Sequence, residues 1–214
     1  MPDYQFVLWD SSRFDTSLIP YVAQACHYKK WAFASDYIRA YALYTYGGVY
    51  LDTDVVLLKN LDFFLNNSFF SAIEYHPSQV LQDDGYHKIS ADGRRLSVDY
   101  VKGIQIQAAI MGSEKNSPFL KDVMSWYENN NFLRPDNSLS TDIVAPYIYS
   151  RIAEKYGFRY ADCEQSLNND MHIYPSTFFA GNKHELTPNS FAIHLCFNSW
   201  RKRWYNRLLK LIVS

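Results

Sequence analysis

The chain has 214 residues, of which 48% are hydrophobic and 17% aromatic, and its formal net charge is −1. This length fits one domain with a substantial core, and so many large apolar side chains exclude a disordered chain. The balanced charge gives no basic signature for nucleic-acid binding.

The first half of the chain is predicted to alternate between extended and helical segments. The periodicity, the β-branched residues and the turn signals predict a strand at 4–9, a helix at 32–46, strands at 49–51, 55–58 and 69–73, and a polar loop or hairpin at 82–98. Gly47 stands where a helix commonly ends in a left-handed residue.

The second half continues this alternation. It contains a predicted strand at 104–111, helices at 118–129 and 141–156, short strands at 173–175, 178–179 and 191–195, and a basic helix at 200–214. Pro146 is expected in the first turn of its helix. The whole pattern predicts a single α/β domain over residues 1–214, with connections that cross the sheet.

The cysteines indicate neither a zinc site nor a disulfide framework. Cys26, Cys163 and Cys196 lie far apart, and the sequence contains no CxxC pair or Cys/His cluster. This spacing argues against a zinc site or disulfide framework and favours a reducing compartment. Residues 1–9 show no secretory signal, and no apolar run is long enough to span a bilayer. A cytoplasmic location is therefore expected.

An acidic pair, Asp52 and Asp54, follows the apolar strand at 49–51. If the chain is extended there, side chains one residue apart lie on the same face. Carboxylates suit Mg²⁺ or Mn²⁺, and such a cation stabilises a leaving diphosphate. An isolated DxD also occurs by chance in surface turns. The preceding strand and the Gly47-Gly48 pair strengthen the metal-site interpretation.

Asp36 and Arg39 are three residues apart and lie on one face of the predicted helix. One interpretation is a surface ion pair worth about 0.2–0.5 kcal/mol. The other places the Asp36 carboxylate on sugar hydroxyls, with the guanidinium of Arg39 beside it as a fork of donors.

Residues 35–54 follow the pattern S-D-Y-x-R-x-x-x-L-x-x-Y-G-G-x-Y-L-D-x-D without a gap. This pattern resembles the DxD-containing glycosyltransferases of family 32, which include capsular-polysaccharide and OCH1-like enzymes. Weaker resemblance continues at 106–115 and 192–200. The resemblance implies a glycosyltransferase-A type fold, in which helices flank a Rossmann-like mixed central sheet, and a bacterial enzyme of surface polysaccharide synthesis.

The resemblance also implies roles for individual residues. Asp54 would bind the metal directly, and Asp52 would bind it directly or through water and could reach the ribose. Asp36 and Arg39 would hold the donor sugar. Tyr50, inside the strand, is expected to serve in packing.

Three later residues complete the implied site. His194 would be a metal or diphosphate ligand, although a satisfied core histidine at a strand end is the alternative. The Ser199 hydroxyl and the Trp200 indole N–H would donate to the β-phosphate, although a tryptophan in isolation is more often a core residue.

The chain departs from the family at its start and carries a basic C-terminal end. Members begin with a strand of the form I-P-K-I-I-H-x-x-W that lines the base pocket, and this strand is not found, so an N-terminally truncated domain is expected.

Residues 200–214 combine basic and apolar side chains. They are expected either to lie on the inner face of an anionic membrane or to dock on the core.

The leading hypothesis is a metal-dependent, retaining glycosyltransferase. It would move a hexose from a nucleoside diphosphate sugar to a glycan or lipid-linked oligosaccharide acceptor, with Mn²⁺ or Mg²⁺ as cofactor. The rival is a degenerate, non-enzymatic sugar- or glycan-binding module. A metal-dependent phosphohydrolase shares the carboxylates but lacks the further Asp/His clusters of a two-metal centre.

Overall fold

The computed structural model describes residues 4–10 and 12–196. Within these ranges the helices are α1 (Pro20–His27), α2 (Trp31–Tyr46), α3 (Pro77–Gln82), α4 (Pro118–Glu128) and α5 (Ala145–Ala153). The strands are β1 (Gly48–Leu51), β2 (Val55–Leu57), β3 (Phe69–Tyr75), β4 (Ile104–Ile106), β5 (Ile110–Ser113), β6 (Gln165–Leu167), β7 (Met171–Tyr174), β8 (Phe179–Ala180) and β9 (Ala192–His194).

The strands form a large mixed sheet and a small one. The large sheet has the order β1-β5-β3-β7-β6, with β4 paired to β3. Strands β3 and β7 are parallel, and the other pairs of this sheet are antiparallel. The small sheet has the order β2-β9-β8. Its register places His194 opposite Val55, the residue after Asp54.

The two faces of the large sheet bury different partners, as β3 shows. Phe69 and Ile73 pack in the larger core cluster with side chains of α1, α2, α4 and α5. Phe70 and Ala72, at alternate positions, pack in a second cluster with side chains of the small sheet. The mixed α/β fold, with helices flanking a mixed sheet, confirms the predicted fold class and is consistent with a glycosyltransferase-A type domain.

Most predicted elements are confirmed within one or two residues, but two strand predictions are wrong. Residues 4–9 form no strand, and Phe6 and Leu8 are 77% and 75% exposed, so their apolar pattern has no sheet to pack on. Residues 104–111 form two strands, because β4 pairs with the end of β3 and β5 pairs with its beginning.

The remaining differences are at helix ends and short elements. The helix predicted at 141–156 begins at Ala145, with Pro146 in its first turn, and continues as a 3₁₀ turn to Tyr156. The loop prediction at 82–98 is confirmed, with a short 3₁₀ helix inside it. Helices α1 and α3 and strand β6 were not predicted. The basic helix predicted at 200–214 lies outside the described residues. In the described part of the chain, no helix combines the length and apolarity required to cross a membrane.

Candidate metal and sugar site

Asp52 and Asp54 lie in the turn that joins the two sheets. Gly47 and Gly48, with φ values of 70° and 101°, allow the chain to leave α2 and enter β1 directly. The expectation of an extended chain at residues 52–54 is wrong. Strand β1 ends before Asp52, and the amide of Val55 donates to the Asp52 carbonyl at 3.1 Å. The chain turns because β1 and β2 belong to different sheets.

Backbone hydrogen bonds fix this turn at both ends. The amide of Asp52 donates to the carbonyl of Ala109 at 2.8 Å, next to β5. The carbonyl of Asp54 accepts from the amide of Leu195 at 3.0 Å, next to β9. Each acidic residue is therefore anchored to a different sheet.

The turn brings both carboxylates together with His194. One ligand atom from each of Asp52, Asp54 and His194 lies within 4.8 Å of the others, and His194 Nε2 is 3.2 Å from Asp54 Oδ1. All three side chains are partly exposed. Two carboxylates and an imidazole are a suitable donor set for Mn²⁺ or another divalent ion, and three protein ligands leave positions for phosphate oxygens. The residues present therefore fit the implied metal.

Cys196 contacts the other side of the His194 ring. Its Sγ is 3.3 Å from His194 Nδ1. Burial raises the pKa of Cys196 to about 12. The contact orients the imidazole, whose Nε2 faces Asp54.

Arg39 is the centre of a buried ion-pair network. Its guanidinium lies 3.0 Å from Asp36 and 3.4 Å from Asp52, and it donates to the Ala108 carbonyl at 2.7 Å. It also donates to the Ser35 hydroxyl at 3.0 Å. Asp36 and Arg39 are only 7% and 6% exposed, so the surface ion-pair interpretation is wrong. The pair lies against the metal cluster and orients Asp52.

Burial shapes the ionisation of this network. It raises the pKa of the Asp36 carboxyl, while Arg39 opposes the rise and Asp52 adds to it. Burial also acts to lower the pKa of Arg39, but Tyr50, Asp52 and Asp36 outweigh it, and the pKa lies well above its ordinary value. Arg39 therefore stays charged and holds the two acids in place.

Residues 1–71 match the family model described as the glycosyltransferase sugar-binding region containing the DXD motif. The matched segment contains Asp36, Arg39, Asp52 and Asp54. This match supports a glycosyltransferase-like protein. The chain is also similar to an uncharacterized protein of Arabidopsis thaliana, At4g19900, with 29% identity over 159 residues. That alignment covers 74% of this chain and 19% of the plant protein.

Tyr50 contributes to the site as well as to packing. Its hydroxyl donates to Asp52 Oδ1 at 2.5 Å, and the Arg39 guanidinium lies over its ring, 4.8 Å from the centroid. The prediction of a packing role is therefore incomplete. The signal was present in the sequence, because Tyr50 lies in the predicted strand only two residues before Asp52.

Replacing Tyr50 with Phe is expected to weaken Mn²⁺ binding about tenfold, because Asp52 loses a hydrogen bond that orients it. The free energy of unfolding should fall by only about 1 kcal/mol. Titration calorimetry with Mn²⁺ and urea unfolding measure the two effects. Tyr46→Phe, at a 60% exposed position, is the matched control. Equal Mn²⁺ affinity in both variants would contradict the role given to Tyr50.

Two predicted site residues, Ser199 and Trp200, lie outside the described residues. The other five form one contiguous group, in which Arg39 contacts both Asp36 and Asp52, and His194 contacts Asp54.

Proposed function

We propose that this chain is a metal-dependent glycosyltransferase that moves a hexose from a nucleoside diphosphate sugar to a hydroxyl of a glycan or lipid-linked oligosaccharide. The observation that carries the proposal is the cluster of Asp52, Asp54 and His194, which lies at the DxD of the matched sugar-binding region.

Asp52, Asp54 and His194 would hold Mn²⁺ or Mg²⁺. When bound, the ion would supply Lewis-acid stabilisation of the charge that grows on the leaving diphosphate. Arg39 and Tyr50 hold Asp52 Oδ1 from the protein side, which leaves the second carboxylate oxygen for the ion.

Asp36 and Arg39 would border the donor sugar, beside Asp52, which Arg39 contacts. Ser199 and Trp200 are proposed as donors to the β-phosphate on the sequence resemblance. Retention of configuration and a role in surface polysaccharide synthesis are proposed on the same basis. Membrane contact through residues 200–214 is proposed from their basic and apolar side chains.

The test is hydrolysis or transfer with UDP-glucose, UDP-galactose and GDP-mannose, followed as release of the nucleoside diphosphate. We expect release from at least one donor that requires Mn²⁺ or Mg²⁺ and stops with a chelator. Calorimetry of the same donors with and without Mn²⁺ separates the rival function. A protein that binds glycans but shows no metal-dependent affinity for these donors is a binding module, and the proposal would then fail.

A further inference from the structure

A narrow slot lies beside His194. Its volume is about 10 Å³, which is room for one water molecule or one hydroxyl group. The polar side chains that line it include Glu74, His76, Gln107, Ser176 and Glu185, together with His194 itself. The lining includes neither Asp36 nor Arg39, but it shares His194 with the candidate metal site.

The charged groups of the slot are held by short contacts. His76 Nε2 lies 3.0 Å from Glu74 Oε1, and both side chains are 28% exposed. Glu185 Oε2 accepts from the Gly181 amide at 3.0 Å. The hydrogen bond to Glu74 raises the pKa of His76, although burial opposes the rise. His76 thus occupies one oxygen of Glu74 and leaves the other for a ligand.

Gln107 adds an unsatisfied acceptor to the same slot. It is 4% exposed, and its Nε2 donates to the Phe179 carbonyl at 3.2 Å. Its Oε1 is buried and has no hydrogen-bond partner among the residues that the structure describes. The Glu74 and Glu185 carboxylates add acceptors to the lining. Such carboxylates suit a ligand that donates a hydrogen bond, such as a hydroxyl.

We propose that the slot binds one hydroxyl of the acceptor sugar and that Glu74 accepts the hydrogen of that hydroxyl. This inference rests on the proposed function. Because a buried acceptor without a partner is costly, the slot should reject an acceptor that lacks this hydroxyl.

The test compares Glu74→Gln with Glu164→Gln. Glu164 forms a similar pair with His172, at 2.8 Å, away from the slot, and is the matched control. Each variant is assayed for donor hydrolysis without acceptor, and for transfer to methyl glucoside, galactoside and mannoside and their single deoxy analogues. Glu74→Gln should keep donor hydrolysis and lose about tenfold or more in kcat/KM for the acceptor. It should also lose the discrimination against one deoxy analogue, whereas Glu164→Gln should change nothing.

A steric variant tests the slot without removing a charge. A Cβ at Gly181 would lie 3.2 Å from Glu185 Oε2 and 3.9 Å from the His76 ring, so Gly181→Ala should narrow the slot. We expect a raised KM for the acceptor and unchanged donor hydrolysis.

The outcomes separate the two proposals. If the wild type shows no metal-dependent donor hydrolysis or transfer, the proposed function fails. If donor turnover is present, the slot proposal is overturned by any of three results: Glu74→Gln also loses donor hydrolysis, it keeps the deoxy discrimination of the wild type, or no glycoside of the panel accelerates donor consumption.

Discussion

Replacing Asp54 with Asn is expected to lower metal-dependent release of the nucleoside diphosphate at least 100-fold. Asn keeps the shape of the side chain but removes one of the two negative charges that attract the ion. It also removes the carboxylate that lies 3.2 Å from His194. The measurement is initial rate against Mn²⁺ concentration, with the donor that the wild type uses.

The shape of that titration distinguishes a metal ligand from a structural residue. A ligand variant should regain part of its activity as Mn²⁺ rises, because the defect is mainly in affinity. Asp99→Asn, at an exposed position, should behave as the wild type. Full activity of Asp54→Asn at low Mn²⁺ would exclude Asp54 from the metal site.

Replacing Arg39 with Met is expected to lower the free energy of unfolding by about 3–5 kcal/mol, the range for breaking a buried ion pair. The substitution leaves Asp36, Asp52 and the Ala108 carbonyl without the guanidinium that they share. Urea unfolding measures the loss. Arg134→Met breaks a more exposed pair with Asp142 and should cost about 1 kcal/mol or less.

The pH dependence of the Arg39→Met variant has a defined sign. Burial raises the pKa of Asp36, and the variant removes the positive charge that opposes this rise. A carboxyl whose folded-state pKa is raised binds its proton more tightly in the native state than in the unfolded chain. Stability should therefore recover as the pH falls below the folded-state pKa and decline as it rises through that value. Similar losses of unfolding free energy in the Arg39 and Arg134 variants at neutral pH would show that the Arg39 network adds little to stability.

The sequence predicted the part of the site within residues 36–54, but not the strand pairing that brings His194 to it. Periodicity placed Asp36 and Arg39 on one helix face and the acidic pair after a strand. The extended geometry expected at residues 52–54 was wrong, because strand β2 pairs with β9, more than 130 residues later, and the chain must turn to reach it. Only the resemblance at 192–200 pointed to His194, since no local pattern encodes that pairing.

The burial of Asp36 and Arg39 could not be predicted from the sequence either. An Asp and an Arg three residues apart suggest an exposed pair, and only the packed structure shows that Arg39 lies against Ala108 and Tyr50. Similarly, the apolar residues at 4–9 suggest a strand, but a strand requires an available edge. Glu74, His76 and Gln107 carry no motif, and they become a group only because β3 and the segment after β4 are neighbours.

The anchoring of the acidic turn has a mechanical consequence. The Asp52 amide is tied to the large sheet through Ala109, and the Asp54 carbonyl is tied to the small sheet through Leu195. An ion shared by Asp52, Asp54 and His194 would therefore fasten one sheet to the other. Metal binding would therefore raise the free energy needed to separate β2 and β9 from the large sheet. The amide protons of the small sheet should exchange more slowly when the metal is bound.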